Sequence, residues 1–342
     1  MRPCTKPSVP AAIGWSGISY RWQPSRVSEG VNVSDVVPLA VWFAGGGGAW
    51  LLLRTALHRL IRAGLAAPRV VEAQDPAQAG LSFRTVRIAT VNQRSLHGWW
   101  IPSASGQDSG PAVVVLHGWG GNAEMMLPLA RPLHEAGLGA LFIDARCHGL
   151  SDDDSFASLP RFAEDVDHAC EWLIGQAGVA AGKIGLIGHS VGAGAVLLAA
   201  ARRPTVAAVV SVSAFVHPAE MMQRWLAARK VPGWARRYVL AYVQDVIGHR
   251  FDDIAPLTSM GRLQCPVLLV HGEDDEVVPV EDARRLYRAG QQGSVRLLVL
   301  PGDHETFVDL PREVAAITGF LRQVLLGVDP VTAGARCTEL LS

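Results

Sequence analysis

A Gly-His-Ser-Val-Gly pentapeptide at 188–192 places Ser190 between Gly188 and Gly192. A serine hydroxyl is a poor nucleophile near neutral pH, so chemistry at Ser190 requires a histidine to take its proton and a carboxylate to orient that histidine. Two later stretches supply both. HGEDDEVVP, beginning at His271, holds Asp274 and Asp275, and LPGDHETF, beginning at Leu300, holds His304. Serine, acid and histidine in that chain order are what successive strands of one sheet would bring to one edge.

The residues around Ser190 say how it would be presented. KIGLIGHS alternates apolar residues as a strand does, and VGAGAVLLAA continues as a helix of small and apolar residues. A sharp strand-to-helix turn projects the serine hydroxyl outward and crowds its neighbours, so small residues two positions away on either side are needed. Gly188 and Gly192 meet that need, and Ala193, Gly194 and Ala195 let the helix approach the sheet. The start of that helix would lend its dipole and free amides to an oxyanion.

The elements that must hold this turn begin near Leu81. FRTVRIATV and LHGWWIP read as two opening strands, followed by AVVVLHG, GALFIDARCHG, KIGLIGHS, VAAVVSVSA, PVLLVHGEDD and VRLLVLPGDH. Helices are expected at 124–136, 162–176, 191–202, 281–289 and 312–326. Such alternation predicts an α/β fold, a mostly parallel central sheet with helices on both faces. The connection from about 215 to 262 is far longer than an ordinary βα loop, and its composition predicts a small helical lid.

The segments HGWGG, DARCHGLS, GHSVG, HGEDDEVVP and GDHETF occur in that order between about 81 and 326. In this the chain resembles the alpha/beta hydrolases, and is most similar to their serine aminopeptidase and monoacylglycerol-lipase-like branch. The resemblance implies hydrolysis of an ester, thioester or amide through an acyl-serine, with no metal and no organic cofactor. It also implies Asp275 rather than Asp274 as the acid, since Val-Val-Pro follows two residues later. The oxyanion donors would be the backbone amides of Trp119 and Val191. One departure is Cys147, which stands in DARCHGLS where relatives commonly have glycine.

An apolar acyl pocket is expected from Trp119 and from Met221, Met222 and Trp225 of the lid, although such residues at helical spacing also serve as core. The expected substrate is a small-molecule carboxylic ester or thioester with an apolar acyl part. A peptidase or amidase of the same fold would need a polar anchor such as Glu220 or Asp245. A binding module that merely retains the fold would be expected to have lost one of the three residues.

Other chemistry finds little support. Lys+Arg and Asp+Glu both number 31, for a formal net charge of zero, which speaks against nucleic acid as a partner. The eleven histidines form no short metal-ligand spacing, and neither GAGAVL nor the glycines at 45–48 complete a nucleotide-binding motif. Asp152 to Asp154 and the acidic residues at 164–167 read as a solvated loop and helix start. The five scattered cysteines lack a C-x-x-C pair and fit a reducing, cytoplasmic compartment.

Residues 1–35, rich in Pro, Ser, Gly and Arg, are expected to be poorly ordered, and 327–342 to form a tail. Between 36 and 68 lies an uncharged apolar stretch, interrupted by Pro38 and four glycines, followed by Arg54, His58 and Arg62 four apart. Two readings stand: an anchor or surface helix holding the protein through 36–65 to the cytoplasmic face of a membrane, or a helix packing its leucines on the domain.

Overall fold

The computed structural model describes residues 46–104, 109–306 and 308–328. The extension 1–35, the first part of the apolar stretch and the tail from 329 lie outside the described residues. Eight strands make one sheet: β1 (Arg84–Thr90), β2 (Arg94–Ile101), β3 (Ser109–Leu116), β4 (Gly139–Ile143), β5 (Gly178–His189), β6 (Val206–Val212), β7 (Val267–Gly272) and β8 (Val295–Leu300). Their spatial order is β1-β2-β4-β3-β5-β6-β7-β8; β1 pairs antiparallel with β2 and β2 with β4, and every other pairing is parallel. This is the α/β hydrolase architecture expected from the sequence.

The helices are α1 (Gly46–Gly64), α2 (Ala130–Glu135), α3 (Leu159–Ile174), α4 (Val191–Arg202), α5 (Pro218–Ala228), α6 (Gly233–Ile247), α7 (Phe251–Ile254), α8 (Pro256–Met260), α9 (Val280–Ala289) and α10 (Leu310–Leu321). Strand periodicity assigns them to two faces. Val114, Leu116, Leu141, Ile143 and Leu186 join Phe162 and Val166 of α3, Val196 of α4 and Leu286 of α9 in one core. Their alternate neighbours Val113, Val115, Phe142, Ile187 and Val210 join Leu133 of α2 and Ile317 and Phe320 of α10 in the other. Both faces of the central strands are therefore dry, which is why the sequence shows nearly continuous apolar runs there.

Two expected helices differ. The stretch 124–136 is a 3-10 segment over Ala123–Leu129 followed by α2, because Pro128 has no amide to continue an α-helical ladder. The stretch 312–326 becomes α10, starting at Leu310, and a π-turn over Arg322–Leu326.

Of the long insertion, α5 and α6 form the exposed part. The helices α7 and α8 belong to the core, where Phe251, Ile254 and Met260 are buried and Pro256 lies under α4 at Gly194.

Helix α1 resolves one of the two N-terminal readings. Trp50, Leu53, Leu57 and Leu60 recur at helical spacing on one side, and all four are exposed, Leu53 by 70%. The leucine face is therefore not packed on the domain. The helix touches the insertion through His58, whose Nε2 lies 2.8 Å from the Tyr238 hydroxyl and whose ring stacks on Tyr242 at 3.9 Å. Gly46–Gly48 fill its first turn, where amides lack helical partners in any case and a glycine weakens the helix least. Among the described residues no helix is long and apolar enough to cross a membrane.

Candidate active site

Ser190 sits at the junction of β5 and α4 with φ 53° and ψ −115°, a conformation that costs a non-glycine residue roughly 1–3 kcal/mol. The surrounding backbone enforces it. The Ser190 amide donates to the Val212 carbonyl at 2.9 Å, tying the turn to β6, and the Gly194 amide donates to the Ser190 carbonyl at 3.2 Å. A side chain at Gly188 would collide with the Gly192 carbonyl, and one at Gly192 with the His117 carbonyl at the end of β3. Strand, turn and helix thus approach closely enough to exclude any Cβ at either position.

His304 and Asp275 come to the same place from the loops after β8 and β7. His304 Nε2 lies 2.9 Å from Ser190 Oγ, and His304 Nδ1 lies 2.7 Å from Asp275 Oδ2. The other Asp275 oxygen accepts the amides of Val277 at 2.9 Å and Val278 at 2.7 Å. His271, donating to the Val278 carbonyl at 2.8 Å, also stands 3.4 Å from Asp275 Oδ2. Burial opposes a charge on Asp275, but the hydrogen bonds from His271, His304 and the turn amides outweigh it and hold the carboxyl well below the usual range. Asp274 points outward, exposed.

The HGWGG loop lies across from this path, with Gly118 pressed against Ser190 Cβ. Trp119 follows it, half-buried, stacked on Phe162 at 6.1 Å and edge-on to His148 at 5.7 Å. Val191 opens α4. Met221, Met222 and Trp225 of α5 pack half-buried against the core, and the Arg229 guanidinium covers the Trp225 ring at 3.6 Å.

The buried histidines of these loops have specific tasks. His117 Nδ1 donates to the Gly118 carbonyl at 2.6 Å while its Nε2 accepts the Ala145 amide at 3.0 Å, which locks one tautomer and joins two loops. Burial, reinforced by the neighbouring His148, pushes its pKa down to about 3. His148, donating to the Arg146 carbonyl at 3.0 Å, is pushed by burial to about 4. His189 donates to the His304 carbonyl at 2.9 Å and is likewise lowered to about 4 by burial and by His304.

Sequence spacing gave no sign of a strap at 65–75 that covers these loops. Arg69 donates to the carbonyls of Gly149 at 2.6 Å and Ser151 at 2.9 Å and pairs with Asp153 at 2.5 Å. Asn122 donates to the Val70 carbonyl at 3.1 Å, and the Ala73 amide donates to Glu124 at 2.6 Å. Beneath it, Asp144 accepts the amides of Ala123 at 2.7 Å and Leu150 at 2.9 Å. Cys147 takes the left-handed conformation, φ 66°, that a glycine would adopt freely, and its Sγ accepts the Asp154 amide at 3.3 Å.

A family model described as serine aminopeptidase, S33, matches residues 107–249. An uncharacterized protein of Mycobacterium tuberculosis, Rv2307c, is 32% identical over 222 residues, 64% of this chain and 71% of that protein. Human protein ABHD12B is 26% identical over 233 residues, 63% of this chain and 61% of that protein. The esterase Pf2001 of Pyrococcus furiosus superposes with a TM-score of 0.62 at 25% identity, over 77% of this chain and 98% of the esterase. Est1E of Butyrivibrio proteoclasticus, solved with ferulic acid bound, shares the fold, with a TM-score of 0.57 at 21% identity over 70% of this chain and 100% of Est1E.

Proposed function

The chain belongs to the serine aminopeptidase family, S33, of the alpha/beta hydrolases, and on that premise we propose that it is a serine esterase for carboxylic esters or thioesters with an apolar acyl group. The observation that carries this reading is the unbroken path from Ser190 Oγ through His304 to Asp275, at 2.9 and 2.7 Å.

In this reading Ser190 Oγ attacks the acyl carbon as His304 Nε2 takes its proton. Asp275 holds the Nδ1–H tautomer and stabilises the imidazolium. The amides of Trp119 and Val191 donate to the oxyanion. Collapse expels the alcohol or thiol with the proton returned by His304, and water then releases the acid by the same route. Trp119, Met221, Met222 and Trp225 form the apolar surface against which the acyl chain lies.

A peptidase reading is less favoured. Glu220, the acidic residue best placed on α5 to hold a peptide amine, is already engaged by both Arg285 nitrogens at 2.7 and 3.0 Å.

Hydrolysis of p-nitrophenyl esters from acetate to palmitate by wild type and Ser190→Ala, with fluorophosphonate labelling, tests the proposal. Ser190-dependent turnover with an optimum beyond acetate is the expected result. Labelling without ester turnover would transfer the reading to amides, and neither would remove it.

Attachment to the cytoplasmic face of a membrane belongs to the same proposal. The side of α1 carrying Trp50, Leu53, Leu57 and Leu60 is free to enter a lipid surface, while Arg54, Arg59 and Arg62 would meet anionic headgroups. Trp234 of α6, 71% exposed, lies one turn from the tyrosine that His58 contacts.

A further inference from the structure

Glu72 of the strap, His97 of β2 and Asp144 after β4 converge at a place outside the Ser190 path. A ring nitrogen of His97 and one carboxylate oxygen from each acid lie within 4.8 Å of one another. Asp144 is completely buried and His97 is 6% exposed. Both Glu72 oxygens and His97 Nε2 are buried without a hydrogen-bond partner.

This arrangement needs something between its members. Two carboxylates facing each other in a dry place repel unless a proton or a cation joins them, and an unpartnered imidazole nitrogen loses its hydration for nothing in return. Among the described residues, no Lys or Arg forms an ion pair with Glu72 or Asp144. Arg87, the cation whose charge reaches His97, is engaged by Asp152 at 3.0 Å and by the Leu150 carbonyl at 2.7 Å. Asp144 is already committed on both oxygens to the Ala123 and Leu150 amides, so its remaining lone pairs are the ones that face Glu72.

We infer that Glu72, His97 and Asp144 form a binding site for one divalent transition-metal cation, which ties the strap to the loop after β4. An ion about 2.0–2.2 Å from each donor reaches all three with small side-chain adjustments. Two carboxylates and one imidazole match Zn²⁺ or Mn²⁺, whereas Ca²⁺ and Mg²⁺ prefer all-oxygen sets. The ion neutralises both acids, takes the lone pair of His97 and leaves further positions to water. Its effect is structural: Asp144 holds the Ala123 amide at the end of the HGWGG loop, so the ion braces the segment carrying Trp119. The sequence hides this site because its three members come from three separate elements.

Metal-binding measurements on the full chain test this independently of whether it hydrolyses esters. After EDTA treatment and dialysis, Zn²⁺ and Mn²⁺ are titrated by calorimetry, with Mn²⁺ also followed by its electron paramagnetic resonance. Wild type is expected to bind one equivalent and to gain thermal stability. Glu72→Gln and His97→Gln are expected to bind more than about tenfold more weakly, while His249→Gln at the exposed end of α6 binds as wild type does. Far-UV circular dichroism establishes that each variant is folded, and Glu72→Gln changes only one atom type. Equal binding by wild type and both variants would place the ion elsewhere, and no binding by wild type would mean that the acids share a proton only. Either overturns the inference, as does a preference for Ca²⁺ or Mg²⁺.

Discussion

His189 Nε2 lies 2.9 Å from the carbonyl oxygen of His304, so the residue just before Ser190 holds the backbone of the histidine that Ser190 faces. The elbow and the His304 loop are thereby tied to each other beside the 2.9 Å approach of Ser190 Oγ and His304 Nε2. Replacing His189 with Phe keeps a planar ring and removes the donor. The expected outcome is a fall in kcat of about tenfold with KM little changed, since the loss is in alignment rather than binding. Steady-state kinetics on the preferred ester give both numbers, and an unchanged kcat would deny the link any role.

Asp275→Asn should be far more damaging. The carboxylate accepts from His304 and from two turn amides, and an amide in its place can offer His304 a donor and so favour the wrong tautomer. Activity is expected to drop by roughly four orders of magnitude with thermal stability less affected. Asp274→Asn, on the exposed side of the same turn, should leave activity close to wild type.

That contrast marks how far the sequence could be read. That Ser190, Asp275 and His304 would meet was legible because the elbow and the two later loops are each marked locally, in a few adjacent residues. The sheet was legible because its central strands are buried on both faces. Pro128 was visible, yet helical periodicity over 124–136 masked the break it causes. The strap at 65–75 and the Glu72, His97 and Asp144 cluster were not legible. They depend on which turn brings distant segments together, and no spacing encodes that. For α1, the apolar pattern alone could not say whether its leucines face core or solvent.

Acid should destabilise the fold through three histidines. Burial lowers His117 to about 3 and His148 and His189 to about 4, against 6.5 for an unperturbed histidine. The folded state therefore binds fewer protons than the unfolded state between these values, so stability is full above about pH 7 and falls as pH drops below 6.5. At pH 5.5 each histidine contributes a loss on the order of 1 kcal/mol. Buried carboxyls with raised pKa, Glu313 and Asp165, oppose this contribution over the same range, so the rings are followed directly: NMR titration should show the His117, His148 and His189 imidazoles still neutral at pH 5. Protonation of these rings near pH 6.5 would mean that they ionise freely in the native state.

Glu313 of α10 offers the opposite case. It is 3% exposed, its Oε2 has no partner, and burial pushes its pKa up to about 8. A raised carboxyl pKa means the folded state holds a proton that the unfolded state has released, so the residue destabilises increasingly from about pH 4.5 to 8. Glu313→Gln keeps the shape and removes the ionisation. Its gain is expected to be on the order of 4 kcal/mol at pH 8 and to vanish near pH 4.5, a pH dependence that a simple packing improvement would not produce.

The exposed side of α1 makes the membrane proposal measurable. Trp50, Leu53, Leu57 and Leu60 recur every three or four residues, and the Arg54 guanidinium lies 5.4 Å from the Trp50 ring centroid, bringing a cation to the edge of the apolar stripe. Insertion of such a stripe is driven by apolar burial and aided by attraction of arginines to anionic lipid. Full-length protein is therefore expected to float with vesicles containing phosphatidylserine and to float less with neutral phosphatidylcholine vesicles or at high salt. Leu53→Glu with Leu57→Glu should abolish flotation while leaving Tm unchanged, because neither leucine belongs to either core. Flotation that survives the double variant would assign any membrane contact to another part of the chain. If wild type fails to float with anionic vesicles, lipid is excluded as what covers α1.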